Sequence, residues 1–598
     1  MSDVGRRRGC LRDESQDRRE PADTRSHPAE SRRLATSTVA LLVFRVLVSA
    51  LQLTAFAPDE YFQGPEVAHR VVFGYGHLTW EWTAGLRSYL HPMLYAALYQ
   101  IGSALGLGRS VTWWGPYLIH ALITVWTDLQ VLSLARLVFH NRQSEAGRQS
   151  PVSAVVSACV RMFSLNWFLG YCMARPYSNS LETALCTRAL VGYLQTSVDG
   201  EHAAPTRDRP KHTAIWVLCG SLCVVLRPAS GLFWAVLAVR AIIWPVGDPN
   251  HSSKKESTGC ATRERVTVFS IGVAVSGVVL AITTCLDWIM YGRLEVVPWN
   301  FLKFNVLDGG SALYGTSPWH ANFTMHLPSM LLMDFPLFLY GWYMARPGRP
   351  EESGRNVSRM SPTARKVRFL AECSCLYCLI YSIAAHKEIR FLLPVLPMCM
   401  PVVAYGSVFL TPTPLAGKVV RILVHLIAFL FFSLVHQRGQ VRVMSSIREL
   451  HGLRRLHGAG GRADGSATPP TVTTKVLFLT PCHATPYYAS LHSPDIRMRF
   501  FDCSPEAYRE QVYLANDEER SWMALPSLPE GMSERAYFEL EPEKVLSEAL
   551  EAGKPDVVVS FEDHVAAVEA HRGYRQWKSH WNSFSVGQRA IYVFDRIP

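Results

Sequence analysis

Two short polar insertions interrupt an otherwise apolar sequence, and their side chains are of the kinds that move protons and hold phosphate. Asp59-Glu60 follows the first apolar run directly, and His386-Lys387-Glu388-Ile389-Arg390 lies between two further apolar runs. Ionisable groups in such places are costly in lipid, so they face a polar cavity, a partner or the interface. A carboxylate there can take a proton from a hydroxyl. Arg, Lys and His on the same face can hold a phosphate and stabilise the charge it gains on leaving. Together these groups suit transfer from a lipid-linked phosphate to a hydroxyl at the bilayer surface. In a glycosyl transfer with inversion, the phosphate departs from the side opposite the attacking oxygen.

The elements that must position these groups are membrane helices. The chain has 598 residues, is 49% hydrophobic and only 18% charged, which is low for a soluble protein. Its apolar residues cluster in twelve runs: Thr38 to Ala57, Tyr89 to Leu107, Val111 to Phe139, Pro151 to Met173, Leu181 to Leu194, Ile215 to Leu226, Gly231 to Val246, Val266 to Met290, Leu327 to Met344, Phe369 to Ala385, Phe391 to Leu410 and Val419 to Val435. About 20 apolar residues cross a bilayer as a helix. The fold class expected is therefore a polytopic α-helical membrane protein with about 11–13 membrane segments.

Residues 1–37 carry nine arginines, seven acids and two leucines, so they form a disordered, arginine-rich arm. Arginine here puts the N-terminus in the cytoplasm and Asp59 in the lumen. The basic stretches Lys254 to Arg265 and Arg346 to Arg368 read as cytoplasmic too, which places Tyr291 to His326 and His386 to Arg390 on the luminal face with Asp59. The crossing count is uneven: eight runs precede Tyr291 where an odd number is needed, so Leu181 to Leu194 or Ile215 to Leu226 is expected not to cross alone.

After the multi-spanning region, residues 38–437, the composition turns polar. A Gly-, Ala- and Ser-rich linker within 438–474 leads to a luminal α/β domain at 475–598. Strands are expected at Lys475 to Cys482, Pro555 to Phe561 and Arg589 to Asp595, and helices at Pro505 to Asn516 and Pro542 to Ala552. Cys373, Cys375 and Cys378 lie in an apolar run and read as small hydrophobes, so the cysteines have no metal-binding spacing. Cys482 and Cys503 stand in a compartment that permits a disulfide between them.

At this point the chain resembles a family, the dolichyl-phosphate-mannose-dependent mannosyltransferases of the endoplasmic reticulum, which have the GT-C glycosyltransferase fold. The resemblance rests on PDEYFQGPEVAH (Pro58 to His69), ARPYSNSLET (Ala174 to Thr183), RPAS (Arg227 to Ser230), PWNFLKFN (Pro298 to Asn305), YGTSPWHANF (Tyr314 to Phe323) and HKEIRFLLPVLP (His386 to Pro397). Within the family, FLTPCHATPYYASLH (Phe478 to His492) and HQRG (His436 to Gly439) resemble the members that add a third, α1,2-linked mannose to the glycosylphosphatidylinositol (GPI) precursor. What the resemblance implies is Asp59 as general base, with Glu60 beside it shaping the acceptor site. It implies donor-phosphate binding or loop ordering by His386, Lys387 and Arg390, with Arg227 as a further phosphate ligand and Trp319 and His320 as substrate contacts. The implied partners are the bilayer, dolichyl-phosphate-mannose and a mannosylated GPI lipid, with no nucleic acid, no cofactor and no metal ligand set. The implied location is the endoplasmic reticulum membrane.

Simpler readings stand beside these. Asp59 and Glu60 would also suit a helix N-terminus, and Lys387 and Arg390 could snorkel towards head groups while Glu388 pairs with one of them. Trp319 and His320 could be interfacial anchors, and Arg175 and Arg227 interfacial arginines. A transporter would set paired charges near the midplane of two related halves, whereas these charges sit at span ends on one face. The same membrane motifs would also serve an enzyme that extends the dolichol-linked oligosaccharide of N-glycosylation.

Overall fold

Each of the twelve apolar runs contains helix in the computed structural model, which describes residues 28–139, 152–197, 208–243, 256–347, 360–410, 415–460, 472–516, 522–523, 525 and 527–597 apart from 572 and 586. In chain order the helices of the membrane region include α1 (Pro28–Ala50), α2 (Asp59–Phe62), α3 (Pro65–Phe73), α4 (Leu90–Ala104), α5 (Arg109–Phe139), α6 (Val152–Ser164), α7 (Trp167–Met173), α8 (Ser178–Ser197), α9 (Arg209–Leu226), α10 (Gly231–Ile243), α11 (Glu256–Tyr291), α12 (Phe335–Met344), α13 (Pro362–Ile383), α14 (Leu396–Phe409) and α15 (Leu415–Leu434), with short helical turns between some of them. A backbone surrounded by lipid can bond only to itself, and the helix is the local solution.

Among the described residues, four helices are long and apolar enough to cross a bilayer alone. The pair α6–α7, bent by 57°, makes a fifth. The bend falls at Asn166, whose side chain accepts the Leu169 N–H at 3.0 Å and starts α7 afresh. The two runs of which one was expected not to cross alone lie in helices of 20 and 18 residues, and neither is among the four. α10 is shorter still, and its 13 residues rise only about 20 Å. α1 begins at Pro28, inside the stretch read as a disordered arm, and the arm's first 27 residues lie outside the described residues.

A buried ion pair staples α1 to α5: Arg45 meets Asp128 at 2.6 Å with side chains 1% and 0% exposed, and Ser164 Oγ donates to the same carboxylate at 3.0 Å. Removing one partner of such a pair strands the other charge, at a cost of about 3–5 kcal/mol. Asp128→Ala is accordingly expected to lower the unfolding midpoint of the detergent-solubilised protein by many degrees. An unchanged midpoint would reject the staple.

The C-terminal region folds around a five-stranded sheet of β1 (Thr474–Phe478), β2 (Ile496–Phe500), β3 (Val557–Phe561), β4 (Tyr574–Trp581) and β5 (Ala590–Arg596). The order is β2-β1-β3-β5-β4, parallel through β2, β1 and β3 and antiparallel from β3 to β5 and β4. Alternation along each strand divides the side chains between two cores. Val476, Phe478, Val557 and Val559 face Tyr61 and Phe62 of the membrane region together with Val443, Met444, Ile447 and Leu450. Leu477 and Val558 face Val545, Leu546, Ala549 and Leu550 on the opposite side. The four residues Val443 to Leu450 belong to α16 (Gly439–Gly460), a 22-residue helix where composition reads as linker. Its apolar stripe packs on β4 and β5, and residues 461–471 of the expected linker lie outside the described residues. Cys482 and Cys503 form a disulfide.

Candidate active site

Between α1 and α2, residues 53–57 lie on the ends of three other helices. Leu53 N–H and Thr54 Oγ donate to the Ser433 and Phe432 carbonyls of α15 at 2.9 and 2.6 Å. Ala55 N–H donates to Gln437 O at 3.1 Å, and Ala57 N–H to Tyr177 Oη at 3.1 Å. Arg175 completes the clamp, its Nη1 on Thr54 O at 2.6 Å and its Nη2 on Thr54 Oγ1 at 2.7 Å.

Arg175 also holds Glu60. The two side chains, both fully buried, meet at 2.7 Å, and Tyr117 Oη donates to Glu60 Oε1 at 2.8 Å. A carboxylate so enclosed has no open face for a substrate. Glu60 therefore orients the turn, and its neighbour Asp59 points the other way. Asp59, one fifth exposed, meets Arg390 at 3.0 Å. Acid and base far apart in sequence thus share one face of the membrane region.

Burial pushes the Asp59 carboxyl above the ordinary aspartate range, with Glu81 and Glu388 adding to that shift, although Arg390 and Arg87 pull it down. A carboxyl raised in this way is a functional-site signature. Arg390 is 4% exposed. Its Nη2 serves both Asp59 and Glu388, the latter at 2.7 Å. Its Nε and Nη1 are buried without a hydrogen-bond partner among the described residues. Unpaired buried donors are costly, and here two of them lie on a guanidinium beside a candidate base. The Arg390 guanidinium also lies 5.5 Å from the Tyr177 and Phe391 rings, and Arg227 lies 4.7 Å over the same Phe391. Two guanidinium groups therefore flank one aromatic plate.

Glu388 bridges Arg390 and His386, the latter at 2.9 Å. Burial alone would raise its carboxyl, but Arg390 and His386 outweigh that and hold it at about 2. Because this value is depressed, the contribution of Glu388 to loop stability is complete above the ordinary glutamate range and is lost only as pH falls towards 2. Lys387 turns away: Nζ donates to Ala384 O at 2.6 Å and Ser317 O at 3.0 Å, tying the end of α13 to the loop before Trp319. It orders that loop. Lys387→Ala is expected to release residues 315–318 and raise proteolytic cleavage there, while Arg390→Ala leaves cleavage unchanged. Equal cleavage in both variants would reject the assignment.

Opposite Asp59 stands a group that sequence reasoning did not single out. Glu81 pairs with Arg87 at 2.8 Å and accepts from Tyr314 Oη at 2.6 Å. Tyr314 stacks on Trp80 at 6.0 Å between centroids and lies 5.7 Å from the His386 ring. The available signal was a carboxylate between two tryptophans, Trp80 and Trp82, in the loop that carries Asp59. Trp319 and His320 are not drawn in. Trp319 is 67% exposed, and His320 contacts Trp319 and Thr324 but neither Asp59 nor Arg390 among the described residues.

The first loop is also joined to the sheet domain. Glu66, fully buried, accepts the amides of His77, Tyr488 and Ala489 at 3.0, 3.2 and 2.8 Å. Beside it His69 Nε2 meets His492 Nδ1 at 3.0 Å. Burial pushes His69 down to about 4 from 6.5. This depressed value means that the seam is stable with neutral histidine, and the contribution is lost as pH falls from the ordinary histidine range towards 4. Hydrogen exchange at residues 66–77 and 488–492 is expected to quicken together between pH 7 and pH 5. Exchange that ignores pH after correction for its intrinsic rate would reject the coupling.

The family profile of Alg9-like mannosyltransferases matches residues 36–492. The GPI alpha-1,2-mannosyltransferase 3 of Bos taurus is 31% identical over 476 residues, covering 79% of this chain and 75% of that protein. The GPI mannosyltransferase 3 of Yarrowia lipolytica is 29% identical over 566 residues, covering 92% and 94%. Among solved structures, ArnT from Cupriavidus metallidurans bound to undecaprenyl phosphate superposes with a TM-score of 0.53 at 11% identity, covering 94% of this chain and 98% of that one. The likeness extends the GT-C fold over nearly the whole chain.

Proposed function

The chain belongs to the Alg9-like mannosyltransferase family, and from that premise we propose that it transfers mannose from dolichyl-phosphate-mannose, in α1,2 linkage, to the second mannose of the GPI precursor. Support for this acceptor comes from relatives that cover three quarters or more of their own length and are named GPI mannosyltransferases. The observation that carries the chemistry is the Asp59–Arg390 contact, a carboxylate raised by burial beside a guanidinium with two free donors.

In this reading Asp59 takes the proton from the acceptor's 2-hydroxyl as that oxygen attacks the anomeric carbon of mannose. The bond from that carbon to the phosphate oxygen breaks on the opposite face, and dolichyl phosphate leaves with the electron pair. Arg390, and Arg227 across Phe391, supply the fixed positive charge that stabilises the leaving phosphate in the transition state. Glu388 and His386 hold Arg390 in place. Glu60 with Arg175 sets the direction of Asp59. The site is luminal in the endoplasmic reticulum membrane, with the N-terminus in the cytoplasm.

Depletion of the protein tests the acceptor. GPI lipid bearing two mannoses should accumulate, whereas truncated dolichol-linked glycans would transfer the assignment to the N-glycosylation branch. A pH profile tests the base. Since transfer needs Asp59 ionised and its pKa is raised, kcat/KM is expected to fall on acidification at a pH above the ordinary aspartate range. A rate flat down to that range would exclude Asp59 as the base.

A further inference from the structure

The turn joining β4 to β5 carries two large aromatic side chains that the protein does not cover: Trp581 is 43% exposed and Phe584 is 71% exposed. Phe584 stacks on Phe431 with centroids 6.2 Å apart and planes 13° apart, and Trp581 lies 5.2 Å from Phe584. Phe431 belongs to the last turn of α15, whose outer face is exposed and apolar at Val419, Ile422, Leu423, Leu426 and Ile427. That helix is long and apolar enough to cross a bilayer. Phe431 lies three residues before its end, about 5 Å along the axis, so the aromatic tip is level with apolar helix and not beyond it.

The turn is held at that depth by backbone contacts. Gln437 N–H donates to Asn582 O at 2.7 Å, and a Cβ on Gly439 would stand 3.0 Å from Asn582 Cβ and 3.1 Å from Trp581 O. On the same side, at the start of α16, Arg438 and Arg442 have no carboxylate in salt-bridge range among the described residues, and Arg442 is exposed. Aromatic rings at the apolar boundary with arginines just above it are the arrangement that a lipid interface favours.

We propose that the β4–β5 turn is a membrane anchor of the sheet domain: Trp581 and Phe584 enter the leaflet nearest that domain alongside α15, and Arg438 and Arg442 engage lipid phosphates above them. The occupant is bilayer lipid, because the patch continues the lipid-facing surface of a spanning helix without a break. The inference is independent of the acceptor and of Asp59.

The test uses the full chain in lipid nanodiscs, carrying Phe584→Cys labelled with a polarity-sensitive fluorophore. Glu569→Cys, on the exposed side of the same domain, provides the water-exposed reference, and the unsubstituted chain labelled identically gives the background from native thiols. At position 584 the emission should shift to the blue and be quenched several-fold more than at 569 by lipids spin-labelled near the head group. Trp581→Cys should behave like 584, which guards against a local distortion caused by either substitution. Aqueous emission and no lipid quenching at both 581 and 584 would overturn the anchor.

Discussion

Asp59→Asn, reconstituted with donor and acceptor lipids, should transfer mannose about 100- to 10,000-fold more slowly than the unsubstituted protein, the range that loss of a general base produces. The amide keeps the shape of the carboxyl and cannot accept the proton. The thermal midpoint sharpens the prediction. Because the Asp59 carboxyl is raised in the folded protein, the stability it contributes is fully present below the ordinary aspartate range and is lost as pH rises through its folded value. At neutral pH its charge therefore opposes folding. The Asp59→Asn variant should keep the midpoint unchanged or higher while transfer disappears. Retained transfer would remove Asp59 from the mechanism, and loss of transfer together with a collapsed midpoint would make it a structural residue.

Glu60→Ala should produce the opposite pattern. It leaves Arg175 buried and charged, with no carboxylate and only Thr54, the Tyr171 carbonyl and the Tyr171 ring for company, and stranding one partner of a buried pair costs about 3–5 kcal/mol. Activity should fall because the protein unfolds and because residues 53–57 lose their clamp. Replacing both partners, Glu60→Gln with Arg175→Met, removes the uncompensated charge, so the double variant should be more stable than Glu60→Ala. A double variant no more stable than Glu60→Ala would show that the pair does more than neutralise itself.

The different characters of Asp59 and Glu60 were not legible in the sequence. Adjacent acids at a helix start look alike until the structure shows Arg175 enclosing one and Arg390 meeting the other. Legible were the helical runs, the convergence of residues 59 and 386–390 on one face, and the three inner strands of the sheet. The edge strands β2 and β4 were not. Sequences such as Ile496–Phe500, with arginine at alternate positions, and Tyr574–Trp581, with lysine and histidine, carry little apolar signal because an edge strand is covered less completely. The helix α16 was hidden for a related reason: Arg442, Glu449 and Arg455 on its open face dilute the stripe from Val443 to Leu450. Lys387 shows the limit of motif reading. Its charge is spent on backbone carbonyls, which no spacing announces.

The Glu66 contacts set an order of events during synthesis. Two of the amides that close on this carboxylate come from residues 422 and 423 positions later, and chains generally fold from the N-terminal end as they emerge. The segment bearing Asp59 is therefore translated long before the residues that close its loop. A nascent chain released before residue 488 would carry both Asp59 and Arg390 and still lack two of the amides that close on Glu66.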